Sequence, residues 1–299
     1  GLSRAAYPEQ MAAIISDLGL VDGRVSADQI NLRMIGYRPR RRAVLCVEVA
    51  NRRLYVKVLR DGIFQATVAR HDLLTRASVP SPRVAGITDD NLLFLTELPG
   101  HPLSKALFEL GNPCTAESLV GLLDQLPPQV CDLPRRSSWS DSVDHYCRMV
   151  AAAMPDQQAR LDRMARIISQ GLMGVPQGNE PTHGDFHEGQ IHVWNGQVCG
   201  ILDVDTIGPG RRADDLACLV AHLSTVQHMN AVQADRVRQI LAAWVPVFDS
   251  RVDPVELRLR SAAVAISLAT GPYRSQEANW GPETLSIIDA AEALVNQVA

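Results

Sequence analysis

His183-Gly184-Asp185-Phe186-His187-Glu188-Gly189-Gln190 is the densest polar run in the chain. Asp203 follows thirteen residues after Gln190, near the end of an apolar stretch, QVCGILDV, that reads as a strand. An acid on a tight loop, an amide five residues on and a second acid at a strand end can converge. Asp203 and Gln190 would offer hard oxygen ligands for a Mg2+ ion carrying phosphates. Asp185 would then stand free to accept a hydroxyl proton. Phosphoryl transfer asks for that division of labour: a positioned acceptor, metal-bridged phosphates and in-line geometry. The same spacing equally allows a solvated loop in which His183 and Asp185 only cap each other.

Upstream of this run, residues 30–37, 43–49 and 53–60 read as strands with connectors short enough for antiparallel hairpins. A helix is expected over 7–20 and another over 63–77, which VPSPRV (79–84) breaks. A fourth strand follows at 91–98, and Pro99-Gly100 reads as a hinge. Beyond it the pattern turns helical: 103–111, 115–125, 140–153, 156–171, 213–229, 232–243, 254–270 and 283–298, with a strand pair between the fourth and fifth. The expectation is an α+β fold: a small antiparallel-sheet N-terminal lobe, 1–98, and a larger, mostly helical C-terminal lobe, 99–299.

Composition narrows the class. Of 299 residues 46% are hydrophobic and 21% charged, as in ordinary folded chains, and no run approaches the ~18 apolar residues of a membrane span. A net charge of −4 leaves no basic excess for nucleic acid. The six cysteines form no C-x-x-C pair, which suits free thiols in a reducing compartment rather than zinc or a disulfide framework. The opening GLSRAAYPEQ lacks the order of a secretory signal, so a cytoplasmic location is expected. Among 29 basic residues only Lys57 and Lys105 are lysine. A lysine kept under such a bias hints at a need for a compact point charge.

The run 183–190 resembles the H-G-D-x-x-x-x-N catalytic loop of the aminoglycoside phosphotransferase / choline kinase family, relatives of the protein kinases. Leu202-Asp203 resembles that family's metal-binding motif, Gly210–Ala217 its G-D-P-x-x-D-L-A segment, and Val79–Val84 its V-P-x-P-x-V. LLFLTELPGHPL resembles its linker between lobes. The resemblance implies a bilobal protein-kinase-like fold and an ATP- and Mg2+-dependent kinase. It makes Asp185 the catalytic Asp, Gln190 and Asp203 the Mg2+ ligands and Lys57 the phosphate contact. The backbone of 96–98, with Glu97 at its centre, would meet adenine.

Several positions depart from the pattern. Gln190 stands for the usual Asn, and H-G-D-x-H-x-G-Q is similar to the maltose and glucosamine kinase branch. Asp205 resembles that branch's acid two places on and is a further candidate metal contact. The family's helix acid that pairs with the lysine falls on Gln65, counting fourteen residues back from Val79. The turn at 37–42, YRPRRR, replaces a Gly-rich loop, and its guanidinium groups could hold phosphates. His187 and Glu188 are candidates to face the acceptor, as are Arg274 and Trp280 in the loop 271–280. A sugar, amino sugar or aminoglycoside acceptor is expected, with a choline-type kinase or a nucleotide-binding pseudokinase as alternatives. Gln65 and Gln190 are what make the pseudokinase thinkable.

Overall fold

The computed structural model describes residues 1–40, 42–226 and 229–298. The chain divides into two compact units: Gly1–Pro99 with Gly200–Asp205, and Gly100–Cys199 with Thr206–Ala299. It therefore crosses between units three times, and residues 200–205 belong with the N-terminal segment despite their distance in sequence.

In the N-terminal unit two short helices, α1 (Leu2–Ala5) and α2 (Pro8–Asp17), precede strands β1 (Asn31–Arg38), β2 (Arg42–Val49) and β3 (Arg52–Val58). Helix α3 (Asp61–Arg76) follows, then β4 (Val84–Ile87) and β5 (Leu92–Thr96). The sheet is antiparallel with order β1-β2-β3-β5-β4. The β2–β3 turn is Ala50-Asn51, both with positive φ (47° and 58°), the primed conformation whose twist matches a two-residue hairpin. Strand β4 was not expected, since its first residue ends the Pro-rich VPSPRV; at a sheet edge such a Pro-led start costs no ladder bond.

Alternation along β3 gives the sheet two different faces. Leu54 and Val56 join Leu45, Val47 and Phe94 on one face, which α2 covers with Met11, Ile14 and Ile15. The opposite face carries Tyr55, Leu93 and Leu95 and packs against Phe64 and Val68 of α3. Lys57 lies on this second face, 8% exposed.

The C-terminal unit holds β6 (His101–Pro102), α4 (Leu103–Ala106), α5 (Ala116–Asp124), α6 (Val143–Ala153) and α7 (Gln158–Gly171). Short strands β7 (Glu180–Thr182), β8 (Ile191–Trp194), β9 (Gln197–Ile201) and β10 (Gly208–Gly210) come next, β9 running on into the other unit. Helices α8 (Arg212–Ser224), α9 (Ala231–Asp249), α10 (Pro254–Leu268), α11 (Gly271–Arg274) and α12 (Trp280–Val295) complete it. Helix α10 is buried on every side from Leu259 to Ser267 and packs on α6, α7, α8 and α12. Its alanines and serines let those neighbours approach closely. Three expected helices differ from the sequence reading. The one at 103–111 shrinks to α4, and the one expected to stop at 243 runs through Pro246 to Asp249. The helix expected over 213–229 stops at Ser224, and residues 227–228 of that span lie outside the described residues.

His71 of α3 ties the helix to the Pro-rich segment: its Nδ1–H donates to the Pro82 carbonyl at 2.8 Å, and the ring is 1% exposed. Burial, reinforced by the nearby Lys57 charge and only partly opposed by the Pro82 bond, lowers its pKa to about 4. Between pH 6.5 and pH 4 the unfolded chain therefore takes up a proton here that the folded chain refuses. The stability tied to this neutral ring is complete above pH 6.5 and is lost as pH falls toward 4, by about 3 kcal/mol. His71→Gln, which keeps the donor but cannot titrate, is expected to lose that much less between pH 7 and pH 4 in urea unfolding. Identical pH slopes for the two proteins would show that His71 is not held neutral.

Candidate active site

The charged centre of the N-terminal unit follows from strand register. Lys57 sits opposite Val44 of β2, so Arg42, two residues before Val44, projects on the same face as Lys57. The returning segment is anchored by a backbone bond from Ile201 N–H to the Pro80 carbonyl at 2.9 Å. Gly200 is required there, because a Cβ would stand 2.5 Å from that carbonyl oxygen. Three residues later Asp203 adopts a positive φ of 47°, a conformation Asp tolerates at functional sites.

Two cations and two acids then meet. Lys57 Nζ lies 3.2 Å from Asp203 and 2.7 Å from Asp205. Arg42 donates to both oxygens of Asp203 at 3.4 and 3.3 Å and reaches Asp205 at 3.3 Å. Burial alone would raise the Asp203 pKa, but Lys57 and then Arg42 outweigh it and hold the carboxyl well below the ordinary range. The group is charge-neutral as a whole. Gln65 is exposed on α3. Lys57 has its acidic partners on the returning segment instead of on the helix. Glu97 is partly exposed and paired with Arg53 at 2.5 Å.

The C-terminal unit carries the loop 183–190. Its backbone is pegged by Asp215, 1% exposed, which accepts from the N–H groups of His183 and Gly184 at 2.8 Å each. Burial raises the Asp215 pKa to about 7, although both N–H bonds favour the anion. Thr206 Oγ1 donates to the His183 carbonyl at 2.7 Å, and a Cβ on Gly184 would come within 2.8 Å of the Thr206 oxygen. Phe186 is wholly buried beneath the loop. Asp185 between them keeps a partly exposed carboxylate.

His187 Nδ1 accepts from Gly189 N–H at 3.1 Å, which leaves Nε2 facing Asp185 at 3.9 Å and the Gln190 amide at 3.3 Å. Its ring stacks on His222 of α8, with centroids 4.3 Å apart and planes 8° from parallel. Glu188 is turned inward between the two rings, 3.7 and 3.6 Å from their Nδ1 atoms. Ligand atoms of His187, Glu188 and His222 lie within 4.8 Å of one another. Parallel rings nevertheless aim their nitrogens side by side instead of at one point, and His187 Nδ1 is already engaged. The cluster braces the loop. Arg274 is exposed on α11, and Trp280 packs edge-on against Tyr273 at 5.1 Å.

Sequence reasoning missed three features. Asp215 was legible only as a helix-start acid, His222 carried no signal, and Arg42 was one of an exposed-looking run. Arg211 and Arg212, at the start of α8, are both engaged. Arg211 pairs with the buried Glu256, which also binds Arg260, and Arg260 binds Asp214 at 2.6 Å. Arg212 donates to the Leu123 carbonyl.

Asp215→Ala leaves the buried His183 N–H and the part-buried Gly184 N–H without their acceptor and is expected to cost about 2–4 kcal/mol in denaturant unfolding. Asp215→Asn, which keeps one acceptor, is expected to cost less. Faster hydrogen exchange at His183 and Gly184 accompanies both; unchanged exchange would remove Asp215 from its role as the peg.

The profile of the phosphotransferase enzyme family matches residues 36–248. No curated protein sequence matches the chain. Among solved structures, a thermostable mutant of aminoglycoside phosphotransferase APH(4)-Ia, in ternary complex with ADP and hygromycin B, aligns at TM-score 0.60 and 14% identity. The alignment covers 96% of this chain and 98% of that one. Choline kinase LicA from Streptococcus pneumoniae gives 0.60 and 10%, over 96% and 98%. The choline kinase of Cryptosporidium parvum gives 0.59 and 9%, over 96% and 95%. At these identities the likeness is one of fold, and it is the protein-kinase-like α+β fold expected from the sequence. The matched residues take in Lys57, Asp185, Gln190, Asp203 and Asp205 together, and the chain belongs to the phosphotransferase enzyme family.

Proposed function

We propose that the protein is an ATP- and Mg2+-dependent kinase that transfers the γ-phosphoryl group to a hydroxyl of a sugar-sized acceptor, neutral or singly cationic. The observation that carries this reading is the meeting of Lys57 with Asp203 and Asp205, acids about 150 residues away in sequence. A nearly buried lysine against two carboxylates places a compact cation beside acids able to hold a metal, which is what a polyphosphate site needs.

The residues fit a divalent cation. Asp203 and Asp205 present hard oxygens that already bracket one positive centre, Lys57 Nζ. Gln190 is the proposed amide ligand from the C-terminal unit. Bound there, Mg2+ supplies charge neutralisation on the phosphates. Lys57 then orients the α/β-phosphates. Asp185, on a loop immobilised by Asp215 and by the His187–His222 stack, accepts the acceptor hydroxyl's proton. The backbone of 96–98, with Glu97 at its centre, remains the proposed contact for adenine.

The way the late acids are used supports an acceptor of low charge. Asp253 caps α10, Glu256 is held by Arg211 and Arg260, and Asp289 and Glu292 pair with Arg160. Glu283 is buried. A polycation needs several free carboxylates in one pocket, because each unpaired ammonium is desolvated at a cost. These acids are already engaged. Choline, with one cation, stays within the proposal.

An ADP-release screen over simple sugars, glucosamine, choline and kanamycin-like aminoglycosides tests it. Turnover is expected with a neutral or singly charged acceptor, falling about 100-fold or more in Asp185→Asn. Lys57→Arg is expected to lose at least about tenfold in kcat/KM, since a planar fork does not fit a slot built for one ammonium. Nucleotide binding without turnover on any acceptor would favour the pseudokinase reading. Efficient turnover of polycationic aminoglycosides alone would refute the acceptor assignment.

A further inference from the structure

Arg42 has no role in the proposed function, yet among the described residues it makes three of the five side-chain hydrogen bonds from Arg42 and Lys57 to the Asp203–Asp205 pair. Its side chain is 29% exposed where that of Lys57 is 10% exposed, so it is the cation of the pair with more room to turn outward. It stands at the first residue of β2, at the foot of the turn beginning at Arg38, while its backbone is fixed by pairing with Arg38.

We propose that Arg42 is a guard on the metal-holding acids, and that metal and nucleotide phosphate can bind well only together because they exchange partners with the Arg42–Lys57 cation pair. This rests on the nucleotide reading of the same site. The charge count forces the exchange. A divalent cation arriving alone meets two carboxylates already neutralised by two cations, and taking the acids strands Lys57 nearly buried without a counter-ion. A polyphosphate arriving alone captures the two cations and leaves Asp203 and Asp205 unpaired beside its own negative charge. When both arrive, the acids pass to the metal and the cations to the phosphates, and every charge has a partner. Coupling of this kind is reciprocal: each ligand tightens the other by the same factor.

Arg42 is the element that can be removed without touching the acids. In Arg42→Gln and Arg42→Met the acid pair faces only Lys57 and carries a net negative charge. Nucleotide-free metal affinity should therefore rise, while the gain in ADP affinity on adding Mg2+ should shrink. Arg42→Lys keeps the cation and should stay near the wild type.

The probes are Mn2+ alone, followed by its free-ion electron paramagnetic resonance signal, and ADP with and without Mg2+, by calorimetry. Thermal melts report the fold of each variant. Expected is a rise of about tenfold or more in Mn2+ affinity for the two neutral variants, with a matching fall in the Mg2+ dependence of ADP binding. Unchanged Mn2+ affinity in a folded neutral variant, alongside Mg2+-dependent ADP binding, would overturn the guard and leave the nucleotide reading standing. Tightened Mn2+ with no ADP binding to any protein would instead support the guard and overturn the nucleotide reading. Should both neutral variants fail to melt cooperatively, the wild type decides: Mn2+ binding equally tight with and without ADP overturns the coupling.

Discussion

Two carboxylates and two cations, drawn from segments 146 to 163 residues apart, are held together on one face of the N-terminal sheet. Burying such charges is unfavourable unless each finds its opposite, and removing any one member exposes the others to that cost. The surrounding backbone is arranged so that none is missing. The two carbonyls of the Pro-rich segment serve different partners. Pro82 accepts from His71 and so fixes α3, and Pro80 accepts from Ile201 and so fixes the segment bearing the acids. Proline cannot donate a backbone hydrogen bond, but its carbonyl remains a full acceptor and its ring keeps the chain extended. The V-P-x-P pattern is thus a pair of fixed acceptors, one for each neighbour of the charge group.

The C-terminal unit solves a related problem with different means. A loop that must expose one carboxylate cannot be stabilised by burying it, so its backbone is tied down instead. Asp215 takes two N–H groups, Thr206 takes a carbonyl, and Phe186 anchors the loop from below. Asp185 is left with its carboxylate partly open. The helix that supplies Asp215 is itself fixed to α10 through Arg211, Glu256, Arg260 and Asp214, so the peg is tied into the core of the unit.

The first three hairpin-linked strands of the N-terminal sheet, the helical character of the rest and the loop 183–190 were legible because each is local. Period-two alternation at 53–58, turn chemistry at 50–51 and polar density at 183–190 are all written within a few residues. What was not legible depends on long-range pairing. Gln65 was the natural residue to place against Lys57, because sequence offers only helix spacing for that choice; the chain supplies Asp203 and Asp205 instead, by a return path that no local pattern encodes. Glu188 read as a group facing an acceptor, since a charged residue beside a catalytic loop usually meets solvent. Its inward turn depends on His222, which lies thirty-four residues on and gives no sign in sequence of stacking on His187.

The scarcity of lysine illustrates how far composition can carry an argument. Under a strong preference for arginine, both surviving lysines invite a functional reading. Lys57 supports it: its side chain is nearly buried and its single ammonium meets two carboxylates at one point. Lys105 does not. It is largely exposed, reaching only Glu109 one helical turn on, at 3.8 Å, where arginine would do as well. Elsewhere the arginines occupy the places that reward a fork: Arg258 spans both oxygens of Asp249, Arg211 both of Glu256, and Arg42 both of Asp203. Residue bias therefore marks Lys57 only in combination with burial and partner geometry. It is the slot, not the rarity of the residue, that distinguishes the two.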